Sequence, residues 1–342
     1  MTSLLFHKGD QPTEIDRSEI AKVVRDDDCF VWIDLSDYAE PDLTGLIDDL
    51  RLDSAGVRAA LAGWQRPRMD VFGNHFYISV TIPRVDPEQR KVQAGQLDLF
   101  VGRNFLVSAH KRPLPFADRA FNRAWQQPDL LRLDSAYLLS ILLGELLGHY
   151  ESLTEGLEDE IEAMEERALR DTSDYFLEDL LELKRYVFAL GRLTGQHREV
   201  FGAFLRPEFP FVASEEMRPY FRDLEARLDR LLDQLTTDKD AIHGASDLYV
   251  SQVGHRSTRV MQLLTVVSTV FLPAALILEF FSTGFEFRSM YSGLGFFAMI
   301  VTVLLVSGTL LTMFYRRGWV VPERGSRRDR PDSGVPSRKR RA

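Results

Sequence analysis

The sequence predicts an α+β soluble domain, a small mixed sheet with helices, that continues through one long helix into two C-terminal transmembrane helices. Three observations carry this. Two apolar runs, Val260 to Phe281 and Leu294 to Tyr315, are each about the 20 residues that a bilayer-spanning helix requires. Strand-like runs rich in aromatic and β-branched residues occur only up to about His110, and after Leu130 the apolar residues recur at helical spacing instead.

The first strand signal is Cys29 to Leu35, an apolar, aromatic run that suits a buried strand. Others follow at His75 to Ile82, Gln96 to Val101 and Asn104 to Ser108, the last two separated by Gly102-Arg103, which predicts a β-hairpin. The amphipathic stretches Glu40 to Leu50 and Ser54 to Ala62 make this part an α/β unit. No Gly-rich phosphate loop follows any of these strands.

Ser135 to Arg170 repeats apolar residues at three and four spacing, with Glu151, Glu155, Glu158, Asp159, Glu160, Glu162, Glu165 and Glu166 between them, and reads as one long helix with an acidic face. Such a face either gathers cations or is simply solvated. Asp174 to Phe204 gives a second long helix, ended by Arg206-Pro207-Glu208-Phe209-Pro210. From about Ser214 nothing stops a third helix before the membrane, so Ser214 to Phe281 is expected as one rod of roughly 100 Å. Leu224, Leu228, Leu231, Leu235 and Ile242 form a near-heptad stripe along it, which suggests packing between copies.

The 342 residues carry a net charge of -9, unevenly spread: the tail from Val321 to Ala342 is net +5 and the remainder -14. The tail is too rich in Arg, Pro, Ser and Gly to fold, and beside a span it suits anionic headgroups better than nucleic acid. Arg256 and Arg259 precede the first span, Arg316 and Arg317 follow the second, and only Arg288 lies between, so both termini are expected in the cytoplasm of a multi-pass inner-membrane protein. The N-terminus is too short in apolar residues for a signal peptide, and the lone Cys29 fits a reducing compartment. An enzyme is disfavoured. The seven histidines are scattered without metal-ligand spacing, and no Ser or Cys nucleophile sits in a recognisable elbow.

Further residues carry a likeness: Trp32-Ile33-Asp34-Leu35, Gln65-Arg66-Pro67-Arg68, Phe100-Val101-Gly102-Arg103-Asn104, Leu183-Lys184-Arg185, Tyr220-Phe221-Arg222-Asp223, Leu248-Tyr249-Val250-Ser251, Met261 with Leu264-Thr265, Phe271-Leu272-Pro273 and Arg316-Arg317-Gly318-Trp319. In order and spacing this set resembles the CorA family of divalent-cation transporters. Ala60-Leu61-Ala62-Gly63 before the Arg-Pro-Arg also looks like the zinc-transporting ZntB branch. The resemblance implies a homopentamer with a funnel-shaped cytoplasmic domain, the first span lining a central pore, and Mg²⁺ or another divalent cation as transported ion and regulator, with no covalent cofactor. Domains are expected at 1–130 (α/β), 131–259 (helical, with the stalk), 260–281 and 294–315 (spans), 282–293 (outer loop) and 316–342 (basic tail).

One departure from the family is plain. Its Gly-Met-Asn, where Asn amides ring a hydrated ion, is replaced here by Ser282, Thr283 and Gly284. The outer loop holds Glu286 close to Arg288 and so is locally neutral. Against this stands Glu279, ionisable inside an apolar run. Thr258, Met261, Thr265, Ser268, Leu272, Ala275 and Glu279 form a stripe at three and four spacing, which in a pentamer would put five carboxylates near the pore mouth; the alternative is a headgroup-level Glu279 that selects nothing. Leu264 and Leu272 are candidates for a hydrophobic gate. Regulatory metal would fall to Asp223 and Asp86, although Asp223 has Arg222 and Arg227 as alternative partners. Three functions stay open: potential-driven Mg²⁺ or Co²⁺ conduction, Zn²⁺ or proton-coupled transport, and a non-transporting scaffold or sensor.

Overall fold

The structure is a computed structural model that describes residues 2–7, 13–26, 29–86, 90–126, 135–171, 173–206, 215–282 and 293–319. The chain divides into two compact units, Met1–Tyr249 and Val250–Ala342.

The first unit is built on a seven-stranded sheet of β1 (Thr2–His7), β2 (Thr13–Glu14), β3 (Cys29–Ser36), β4 (Arg68–Val71), β5 (His75–Val85), β6 (Val92–Gly102) and β7 (Phe105–His110), in the order β2-β1-β3-β7-β6-β5-β4. Only β3 and β7 pair in parallel, with Val31 opposite Phe105 and Ser36 opposite His110, so the sheet is mixed as the sequence predicts. The hairpin forms as expected, Val101 opposite Leu106 and the chain turning through Arg103 and Asn104. Strands β1, β2 and β4 have no clear sequence signal. They are edge or near-edge strands, short and partly polar, and take their conformation from hydrogen bonds to a neighbour rather than from an apolar pattern of their own.

Both faces of the sheet are covered. One carries Val31, Ile33, Leu35, Tyr77, Phe100 and Val107 against the short helices α1 (Arg17–Val23), α2 (Glu40–Thr44), α3 (Leu46–Leu50) and α4 (Ser54–Leu61). The alternate residues, among them Trp32, Ile78, Val80, Leu99 and Leu106, share a larger core with the later helices α5 (Ala117–Gln126), α6 (Ser135–Thr154), α7 (Leu157–Ala168), α8 (Asp174–Gly195), α9 (Arg198–Ala203) and α10 (Arg218–Ser282). Strand alternation sorts side chains between the two cores.

Three helical expectations change. The segment from Ser135 to Arg170 is two helices, because Gly156 adopts φ +79 and starts α7 in a new direction. Helix α6 is not amphipathic: 14 of its 20 residues are buried, and most of the acidic face belongs to α7. The segment from Asp174 to Phe204 breaks at Gln196-His197, where the His197 ring enters the core and its Nε2 accepts the Thr81 backbone N–H at 3.0 Å. The stripe Leu224, Leu228, Leu231, Leu235 and Ile242 on α10 is buried in the chain's own core, so it supplies no surface for packing between copies.

A Cβ at position 156 meets nothing within 4 Å, so Gly156→Ala introduces only backbone strain. The variant should lose about 1–2 kcal/mol of stability, read as a lowered thermal midpoint with an unchanged helical spectrum.

The long third helix is present. Helix α10 is a single 65-residue helix with Pro273 inside it, and α11 (Gly293–Arg316) follows in the second unit. Each contains an 18-residue window of mean hydropathy above 2, long and apolar enough to cross a membrane.

Candidate functional site

In the second unit, α10 presents two distinct faces. Gln262, Val266, Thr269, Val270, Pro273 and Ile277 are buried or half-buried and recur at helical spacing. At 3.6 residues per turn, Thr258, Met261, Leu264, Thr265, Ser268, Leu272, Ala275 and Glu279 lie within about 60° of one direction, roughly a third of a turn from that covered face. All eight are exposed in the single chain. The sequence-predicted stripe therefore exists as one exposed face of one helix among the described residues.

Three threonine hydroxyls on this part of the helix are turned inward to its own backbone. Thr258 donates to the Gly254 carbonyl at 3.0 Å, Thr265 to Met261 at 2.8 Å and Thr269 to Thr265 at 2.7 Å. In an apolar medium this satisfies each O–H without a partner helix. Ser282 ends α10, whereas Thr283, Gly284 and Glu286 lie outside the described residues.

The acidic positions are in the first unit. Asp223 is exposed near the start of α10. Arg227, one turn on, is held by another carboxylate: its Nε and Nη2 donate to Glu151 Oε1 and Oε2 at 3.1 and 2.8 Å. That hydrogen bond raises the Arg227 pKa, with Asp223 a smaller contribution through the field. Asp86 follows β5, its backbone N–H donating to the Lys91 carbonyl at 3.1 Å. Among the described residues, no three His, Cys, Asp or Glu side chains gather into a metal-binding group.

Several of the motif residues have structural partners. Trp32 Nε1 donates to Ser108 Oγ at 2.9 Å, Ser108 Oγ donates to the Asp34 carboxylate, and His110 Nε2 lies 3.2 Å from the same carboxylate, which ties β3 to β7. Asn104 Nδ2 donates to the Val24 and Asp26 carbonyls and fixes the loop before β3 to the hairpin turn. Gln65 donates its backbone N–H to Gln96 Oε1 at 3.0 Å, and Tyr220 meets Tyr137 edge-on at 5.3 Å.

Residues 27–317 match the family described as CorA-like Mg²⁺ transporter protein. The chain belongs to the CorA family. Among curated CorA relatives, the cobalt/magnesium transport protein CorA of Thermotoga maritima is 23% identical over 295 residues, 86% of this chain and 84% of that protein. The complete CorA magnesium transporter structure from Methanocaldococcus jannaschii superimposes with a TM-score of 0.76 at 18% identity, covering 94% of this chain and 99% of that one. The ZntB cytoplasmic domain from Vibrio parahaemolyticus matches with a TM-score of 0.56 at 14% identity, over 74% of this chain and 98% of that domain. At these identities the structural matches establish a CorA fold.

Proposed function

We propose that this CorA-family chain transports divalent metal cations, of the Mg²⁺ or Co²⁺ type, through the central pore of a homopentamer whose first span is the membrane part of α10. The exposed stripe from Thr258 to Glu279 is the observation that carries the reading. A face that carries a carboxylate inside an apolar helix is costly against lipid and reasonable against a hydrated pore. In this arrangement Leu264 and Leu272 narrow the pore, and Glu279 supplies a carboxylate ring where the family's Asn ring is missing. The arginines flanking the spans support cytoplasmic termini. With the inside negative, each elementary charge that crosses gains about 2.3 kcal/mol per 100 mV, enough to drive uptake without another energy source.

The purified protein in liposomes with an internal Mg²⁺-sensitive dye tests this. Under an inside-negative potential, Mg²⁺ should enter in the wild type. Gly284→Asn, which restores an amide at the pore mouth, should increase entry severalfold. Entry only in Gly284→Asn would identify a scaffold or sensor that has lost its filter. If Asp223 and Asp86 hold regulatory Mg²⁺, Asp223→Ala should raise the internal Mg²⁺ that halves uptake about threefold; an unchanged value removes Asp223 from gating.

Zinc or proton-coupled transport is the second reading, favoured by the Ala60-Leu61-Ala62-Gly63 stretch. It requires Zn²⁺ uptake that follows an imposed pH gradient at zero membrane potential.

A further inference from the structure

The first unit contains a cavity of about 240 Å³ where β7 ends beside the longer β6, lined by Tyr38, Trp64, Arg84, Gln96, Lys111 and Arg112 among others. These residues are far apart in sequence. Strand β6 runs past the last β6–β7 pair, Asp98 with Ala109, and the chain after β7 carries Lys111 and Arg112 across the gap this leaves. Gly63, at φ +87, ends the α4 turn and sets Trp64 at the cavity, 54% exposed.

Three cations meet here without a carboxylate to neutralise them. Among the described residues, none of Arg84, Lys111 and Arg112 takes part in an ion pair. Arg84 Nη2 donates to the Pro113 carbonyl at 2.5 Å, but its Nε is buried with no hydrogen-bond partner. Burial, and then the neighbouring Arg112, hold the Arg84 pKa below its usual value. Lys111 Nζ donates to the Tyr38 carbonyl at 2.5 Å and lies 3.8 Å from the Tyr38 ring centre. The one acidic lining residue, Asp98, is already engaged: Tyr77 Oη donates to it at 2.6 Å and Gln96 Nε2 at 2.8 and 2.9 Å. His110, which also lines the cavity, is held between the Arg112 carbonyl and Asp34.

Three cations that line one cavity and, among the described residues, take part in no ion pair make a site short of an anion, and arginine pairs best with planar or tetrahedral oxyanions. The exposed indole adds a flat apolar face at the same cavity. We propose that this cavity binds a small phosphate-bearing anion with a planar ring, the nucleotide class, with Arg84, Lys111 and Arg112 on the phosphate and Trp64 against the ring. The volume lies below the roughly 300 Å³ at which drug-sized sites begin, which limits the ligand to a mononucleotide or smaller. This site lies in the first unit, and the inference does not rest on the transport reading.

The test is calorimetric titration of the detergent-solubilised full chain, in magnesium-free low-salt buffer, with AMP, inorganic phosphate and adenosine. AMP should bind more tightly than phosphate, and adenosine weakest. Arg112→Gln and Lys111→Gln should each weaken AMP about tenfold, the loss of one charge-assisted hydrogen bond. Trp64→Leu should weaken AMP severalfold and leave phosphate unchanged. No binding of AMP or phosphate at millimolar concentration overturns the site, as does AMP binding indifferent to both cation variants. Equal binding of AMP and phosphate, both insensitive to Trp64→Leu, overturns the ring contact and leaves a plain phosphate site.

Discussion

Glu279→Gln should lower Mg²⁺ uptake into liposomes about 100-fold while leaving assembly intact. The substitution keeps the shape and removes the charge, so in the proposed pore what is lost is the attraction between a divalent ion and a ring of carboxylates. A charge-assisted contact is worth about 1.5–3 kcal/mol, and about 2.7 kcal/mol corresponds to 100-fold. The expectation rests on direction: Glu279 points within about 60° of Met261, Thr265, Ser268 and Leu272, well away from the covered face through Val266 and Val270. Glu279→Asp, which keeps the charge and shortens the reach, should retain uptake within about tenfold on the same scale. Wild-type rates in Glu279→Gln would place the carboxylate at the headgroups instead, where it touches no permeating ion.

What the sequence made legible follows physical range. The strands at Cys29, His75 and Gln96, the hairpin at Gly102 and the uninterrupted α10 are local patterns of burial and spacing, and the structure places each of them close to where the sequence does. The helix break falls at Gly156, one of three glycines in the expected helix, with Gly144 and Gly148, and nothing local separates a tolerated glycine from one at φ +79. The break at His197 has no local cause, because it depends on a hydrogen bond to Thr81, 116 residues away. The stripe from Leu224 to Ile242 has the spacing that the sequence predicts but a different partner, since a heptad stripe fits the chain's own core as well as another copy. The cavity of Trp64, Arg84 and Arg112 was invisible because sheet pairing alone assembles it. Glu279 was found because a charge in an apolar run is conspicuous wherever it points.

Two strongly perturbed groups of the first unit, Asp98 and His197, should oppose each other in acid, and single substitutions should unmask them. Burial pushes the Asp98 carboxyl up from 3.8 to about 6, against the hydrogen bonds from Tyr77 and Gln96. Its neutral form is therefore favoured by folding: that contribution is complete below pH 3.8 and lost as pH rises through about 6. Burial lowers His197 from 6.5 to about 4, against the hydrogen bond that its Nδ1 donates to the Leu193 carbonyl; its Nε2 accepts from Thr81. Its contribution is complete above pH 6.5 and lost as pH falls towards 4. Between pH 4 and 6 the slopes, each near 1.4 kcal/mol per unit, largely cancel. Asp98→Asn removes one of them, so its stability relative to wild type should fall by about 3 kcal/mol on acidification across that window, roughly 6–12 °C in thermal midpoint. His197→Gln can keep both hydrogen bonds and should show the reverse, gaining relative to wild type as pH falls. Thermal unfolding of the solubilised full chain, followed by tryptophan fluorescence at several pH values, reads both differences. Parallel curves for wild type and both variants would mean that neither group carries a perturbed proton in the folded protein.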